Sequence, residues 1–282
     1  MTVTTDVTPS PSGTPRPASV EPGPGGLFRA VARAEWTKMR TVRSTVWSLL
    51  VTIGLTVGLG ALFAAARVSR WDTLGRAARV DFDPTRFSLN GLLLAQLAIG
   101  VLGVLMITSE YATGQIRATF GATPQRLTVL VAKVVVFVVV VLVVGLVSCF
   151  TAFGIGQSIF AGKHAGASLG DPDVLRAVIG GALYLAALGA LGIGLGVILR
   201  RTAGAIATLV GLLLVAPVLA SFLPSPWNDD IQKYLPGLAG GAIFRVIPEA
   251  NALSPWAGFA VLVGYAVASL VVGGVLLVMR DA

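Results

Sequence analysis

Glu110 stands in the segment Thr108-Ser-Glu-Tyr-Ala-Thr-Gly-Gln-Ile-Arg117, at the edge between two long apolar runs. A carboxylate beside hydrocarbon is costly to keep and marks a functional site by default. It could serve acid–base catalysis, or hold a neighbour through charged hydrogen bonds. Catalysis needs convergent partners, and none stand near it in sequence. Gly114 permits a tight turn just after it, and Arg117 supplies the opposite charge.

Other candidate chemistry is thinner. Gly156-Gln-Ser-Ile-Phe-Ala-Gly162-Lys163-His164 comes nearest to a phosphate-binding loop, but it has one residue too many between glycines and a histidine where Ser or Thr should hold magnesium. It is rejected as a nucleotide site. His164, with Asp171 and Asp173 downstream, reads as a solvated loop before it reads as a metal site, and no metal ligands or catalytic residues are assigned. The single cysteine, Cys149, lies inside an apolar run and excludes disulfides. Gln96 falls mid-span as a candidate pathway residue, with a hydrogen bond to an adjacent helix as the plainer reading.

These residues are carried by an unusually apolar chain. Of 282 residues, 55% are hydrophobic and only 12% charged, and the mean hydropathy is +0.84. A soluble domain is about a quarter charged, so composition points to an all-α, polytopic membrane protein. The net charge of +8 sits mostly beside apolar runs, where it sets topology and meets lipid headgroups, and no nucleic-acid partner is expected.

Runs long enough to cross a bilayer are Val46 to Ala66, Ser88 to Thr108, Val129 to Phe153, Leu175 to Leu199, Ala203 to Leu223 and Pro255 to Met279, which is six spans. None carries an ionisable residue at its centre, and Lys133 is expected to snorkel from near the end of the third. Coupling to protons or sodium therefore loses support. Residues 1–26, rich in Pro, Ser, Thr and Gly, read as a disordered cytoplasmic tail and not as a signal peptide.

Between tail and first span, from Leu27 to Arg43, Phe28, Val31, Ala32, Met39 and Val42 share one helical face and Arg29, Arg33, Arg40 and Arg43 the other. Such a helix lies along the membrane surface. Glu35 breaks the pattern on the apolar side, one turn before Lys38. It is either an exposed helix pair or a contact for a partner protein. Basic residues before the first span, in the second and fourth loops and after the last span place both termini in the cytoplasm, although Arg67, Arg70, Arg76, Arg79 and Arg86 load the first loop on the outer side. The pairs Gly54/Gly58 and Gly192/Gly196 have the small-residue spacing of close helix packing, and either is a candidate dimer seam.

Glu35-Trp-Thr-Lys-Met-Arg-Thr-Val-Arg-Ser44, Asp83-Pro-Thr-Arg86 and Ser109-Glu-Tyr-Ala-Thr-Gly-Gln-Ile-Arg117 occur in an order that resembles the bacterial type-2 ABC exporter permeases. So do Tyr234-Leu-Pro-Gly-Leu-Ala-Gly-Gly-Ala242, Leu253-Ser-Pro-Trp-Ala-Gly258 and the terminal Arg280-Asp-Ala282. The resemblance implies a connecting helix over 27–45, a six-span permease domain over 46–282, and a short re-entrant helical element between the last two spans. It implies a cell-membrane subunit that pairs with a second permease copy and docks on a separate cytosolic ATPase, which binds ATP and magnesium. Glu35, Lys38, Glu110, Tyr111, Gly114 and Arg117 would couple to that ATPase, with the coupling loop running from Ser109 to Arg126. Pro236, Gly237, Gly240 and Gly241 would form an outer gate, since non-helical backbone at membrane depth is tolerated only against protein or water. The chain would then export an apolar or amphiphilic cargo without ATPase motifs of its own. The rival readings are a non-transporting anchor or sensor, and a lipid-modifying enzyme, for which no cluster of acids or nucleophile–base pair appears.

Overall fold

The computed structural model describes residues 24–75, 79, 82–122, 125–225, 227–249 and 251–279; the side chains of residues 24, 117, 120 and 122 lie outside it, as do most of the N-terminal tail and the terminal Arg280-Asp-Ala282. Among the described residues there are helices and loops and no strand. Six helices are long and apolar enough to cross a membrane: Arg43–Ser69, Pro84–Ala112, Arg126–Ala161, Val174–Leu199, Thr202–Ser221 and Pro255–Met279. The chain is a multi-pass, all-α membrane protein.

The surface is the reverse of a soluble protein's. Val131 and Val135 are 52% and 44% exposed, while Lys133 between them is 1% exposed. An apolar exterior is what a lipid-facing surface requires, and polar groups turn inward to find partners.

Helix α1, Pro24–Thr41, begins earlier than its amphipathic pattern suggested, with Pro24 opening the first turn, where a missing N–H costs nothing. The chain breaks at Val42, which has extended geometry (φ −75°, ψ 114°), so Val42 is the joint between helices and does not belong to the apolar face. Helix α2 (Arg43–Ser69) forms the first span, followed by a short 3₁₀ turn, Trp71–Thr73. Asp83 then caps α3 (Pro84–Leu89), accepting a 3.0 Å hydrogen bond from the Arg86 N–H with Pro84 in the first turn. Helix α4 (Leu92–Ala112) completes the second span, α5 (Gln115–Ala122) is a separate short helix, and α6 (Arg126–Ala161) is the third span.

Helix α7 (Val174–Leu199) is the axis of the bundle; 72% of its apolar window is buried. It packs against α4, α6 and the last span, α12 (Pro255–Met279). Contact with α4 is backbone to backbone. A methyl group on Gly103 would collide with the carbonyl of Gly189, and one on Gly192 with the carbonyl of Gly100. The Gly192/Gly196 pair is thus consumed inside one chain and is not a dimer seam. Gly54 and Gly58 meet nothing within 4 Å.

The fifth span runs as α8 (Thr202–Val210), a π turn (Gly211–Val215) and α9 (Ala216–Ser221). The π turn directly precedes the turn holding Pro217, which has no N–H to offer the ladder. Two short helices follow, α10 (Trp227–Gln232) and α11 (Pro236–Gly241), then a 3₁₀ turn, Ala242–Phe244, before α12. The helical element expected between the last two spans is therefore present, and α11 packs on α12 and α7.

Candidate functional site: a buried ring of four charges

At the α1 end of the bundle, four charged side chains from three helices form a closed ring. Lys133 Nζ donates to Glu35 Oε2 at 2.7 Å and to Glu110 Oε1 at 2.8 Å. Lys38 Nζ donates to Glu35 Oε1 at 2.8 Å and to Glu110 Oε1 at 2.9 Å. Charges alternate around the ring and cancel, as burial of ions demands. Glu35, Glu110 and Lys133 are 2%, 4% and 1% exposed.

Each placement follows from local sequence. Glu35 and Lys38 lie three apart on α1, hence on one helix face. Glu110 lies in the last turn of α4, just before Gly114, whose φ of 69° makes the left-handed turn into α5. Lys133 lies two turns into α6, about 10 Å along its axis by the helical rise. The expected snorkelling of Lys133 fails because its ammonium finds two carboxylates inside the protein, a better exchange for lost water than reaching the membrane surface.

Two sequence expectations for Glu35 also change. It is neither an exposed helix pair nor a free contact for another protein, since its oxygens are taken by Lys38 and Lys133. Glu110 likewise is held by its own chain. Its second oxygen, Oε2, is buried without a protein partner, as is the hydroxyl of Tyr111 beside it. The Tyr111 ring lies under the Arg200 guanidinium at 5.3 Å, a cation–π contact. Gly114 is solvent-exposed with open space around it. Arg117 is on α5, and its side chain lies outside those described.

Apolar packing surrounds the ring. Met39 of α1 and Ile116 of α5 are 2% and 3% exposed and join the main core. Two arginines tie off the nearby end of α12: Arg126 Nη1 donates to Leu277 O at 2.9 Å, and Arg200 Nη2 to Leu276 O at 3.3 Å. Cations suit the carbonyl end of a helix. Each charge in the ring has an opposite charge beside it, and the contacts fasten α1, α4 and α6 together.

The other expected residues gather at the opposite end. Gln96 accepts a hydrogen bond from the buried Tyr184 hydroxyl and donates to Leu93 O at 2.8 Å. The plainer reading of Gln96 holds to that extent, but it also lines a pocket of about 190 Å³ that includes Gly237 and Gly241 of α11. Gly240 is packed on Leu262 and Tyr184, and Pro236 is buried in the first turn of α11. Asp171 accepts from Ser168 N, and Asp173 pairs with Arg176, so each has its own partner. No group of three or more metal-ligating side chains occurs among the described residues.

Lys133, Arg200 and Tyr184 are the residues that sequence reasoning missed. A lysine inside an otherwise aliphatic run was the visible sign for the first; nothing in the spacing pointed to Arg200 or Tyr184. The sequence matches no family model, and no curated protein matches it.

Proposed function

We propose that this chain is the membrane-spanning permease subunit of an ATP-driven ABC exporter of the type-2 class, powered by a separate cytosolic ATPase. The observation that supports this best is the Lys38–Glu110–Lys133–Glu35 ring. A force applied to the surface helix α1 or to the α4–α5 turn passes through it into the second and third spans without loss to loose side chains.

On this reading the α1 end faces the cytoplasm, with Arg29, Arg33, Arg40, Arg43, Arg126, Arg200 and Arg201 on that side. The ATPase docks on α5 and the exposed Thr113-Gly114-Gln115 turn. Glu110 is the internal anchor of that docking surface and not the point of contact. ATP-driven closure of two ATPase subunits draws the α5 helices of a permease pair together, and the ring converts this into tilting of the spans. The host membrane is the bacterial cell membrane, and the cargo is apolar or amphiphilic.

The test is reconstitution with the co-purifying ATPase in proteoliposomes. ATP-dependent export is expected from the wild type and not from Glu110→Arg, with both inserted and bound to lipid alike. Failure to retain any ATPase during purification from native membrane, or normal export by Glu110→Arg, rejects the reading.

A further inference from the structure

Gln96 and the Pro-Gly helix α11 border one pocket at the end opposite the charge ring. Its floor is the Gln96–Tyr184 pair, 4% and 2% exposed. One Gln96 amide proton is used on Leu93 O, and the Tyr184 hydroxyl donates to Gln96 Oε1. A second amide proton and the hydroxyl's lone pairs remain for a ligand. Leu92, Leu213 and Phe244 supply apolar wall, and Arg86 and Arg245 lie at the edge. Polar floor, hydrocarbon wall and cationic rim together describe an amphiphile.

The two arginines are now bridged by the chain itself. Glu249 accepts from Arg86 Nη2 at 3.0 Å and pairs with Arg245 Nη1. Among the described residues, Asp229 lines a neighbouring cavity with Arg245 and Glu249, while Asp83 and Asp173 are committed elsewhere. Asp83 is 5% exposed and accepts backbone N–H groups from Arg86, Val246 and Ile247. Asp173 pairs with Arg176, whose other nitrogens hold the carbonyls of Ile243 and Arg245. Glu249 is 43% exposed and sits in a loop without helix. When it swings out, the corner keeps an uncompensated positive charge between two guanidinium groups, which suit carboxylate or phosphate.

We propose that this pocket binds a small anionic amphiphile whose carboxylate or phosphate displaces Glu249 from Arg86 and Arg245. A carbonyl or hydroxyl of the same molecule meets Gln96 and Tyr184, and its first carbons lie along Leu213 and Phe244. At about 190 Å³ the pocket takes a headgroup and a few carbons, and a longer tail leaves it. The chemistry is shared by an anionic lipid headgroup and a free amphiphilic anion. That such a molecule is cargo rests on the exporter reading; its binding to the isolated chain does not.

The test titrates the chain in phosphatidylcholine nanodiscs with octyl phosphate, with octanol as the uncharged control. Saturable binding is expected for octyl phosphate alone. Arg245→Gln should weaken it about tenfold or more, the loss of a charged hydrogen bond. Glu249→Gln should tighten it several-fold, because the internal competitor is gone, and it leaves both arginines in place should Arg245→Gln fold poorly. Equal binding of octanol, no saturation, or weaker binding by Glu249→Gln overturns the proposal. In phosphatidylglycerol nanodiscs, a reduced apparent affinity names the lipid headgroup as occupant, and an unchanged one names the free anion. Lost ATP-driven export with octyl phosphate binding intact rejects only the exporter; the converse rejects only the pocket.

Discussion

Lys133 Nζ lies 2.7 Å from Glu35 Oε2 across 98 positions of sequence, and that contact joins a surface helix to the interior of the third span. Removing one partner of such a buried pair leaves an ion without compensation, which costs about 3–5 kcal/mol, whereas removing both partners costs far less. Glu110→Gln should therefore destabilise the bundle more than the double variant Glu110→Gln/Lys133→Met. Thermal unfolding in detergent measures both, and a strictly additive double-mutant cycle would show that the ring is not coupled. The reversed pair Glu110→Lys/Lys133→Glu should not recover the loss, since it sets a lysine against Lys38 and a glutamate against Glu35 and breaks the alternation of charge around the ring.

The limits of sequence reading follow from the same contact. All six spans were legible because their runs of apolar residues are long, and the third extends well beyond its expected ends, to Arg126–Ala161. Glu35 was legible as an anomaly, an acid on the apolar face of an amphipathic helix. Its reason was not, because the cation that satisfies it comes from a helix far along the chain, and no spacing rule connects them. Gln96 shows the same division. It could be seen as a polar group in a span, but its partner Tyr184 and the pocket that it shares with α11 arise only from packing.

Lys38 closes the ring from its more exposed side, at 32% side-chain exposure. Burial pulls its pKa down, but the hydrogen bonds it donates to Glu35 and Glu110, with their charges, outweigh this and raise it above the ordinary 10.5. A raised folded-state value means that its contribution is complete below 10.5 and is lost as pH rises through the folded value. Docking of α1, read by protease accessibility at Arg33 and Arg40, should thus be unchanged between about pH 6 and 9 and loosen only above 10.5. Lys38→Met should be looser than wild type at neutral pH, and the two should converge at high pH. Equal accessibility of the two at neutral pH would remove Lys38 from the link.

Asp83 performs two tasks with one carboxylate. Oδ1 caps α3 at the Arg86 N–H, and Oδ2 receives Val246 N and Ile247 N at 3.3 and 3.4 Å. Loss of a helix cap costs about 0.5–2 kcal/mol, and loss of the second grip frees the segment leading to α12. Asp83→Ala should expose that segment: a cysteine placed at the half-buried Val246 should react faster with a water-soluble maleimide than in the parent, while the ring at the other end stays intact. Unchanged labelling would mean that Arg176 and the Arg86–Glu249 pair hold the segment without Asp83.

Glycine has two distinct jobs in the spans, and substitution separates them. Gly103 lets α4 approach α7 so closely that a methyl group has no room beside the Gly189 carbonyl. Gly103→Ala must push the α4 and α7 backbones apart in the core, an overpacking cost of about 1–3 kcal/mol. Gly54 and Gly58 face open space on α2, whose apolar window is only 22% buried. A Cβ added at either position meets no atom within 4 Å and both positions are exposed, so leucine there should leave the monomer's stability unchanged. If that exposed face is the seam of the proposed permease pair, Gly54→Leu/Gly58→Leu should shift the protein from dimer to monomer in native mass spectrometry, with thermal unfolding of the monomer unaltered. A dimer of unchanged strength in the double leucine variant would place the seam on another face. Loss of folding would contradict the open space seen around both glycines.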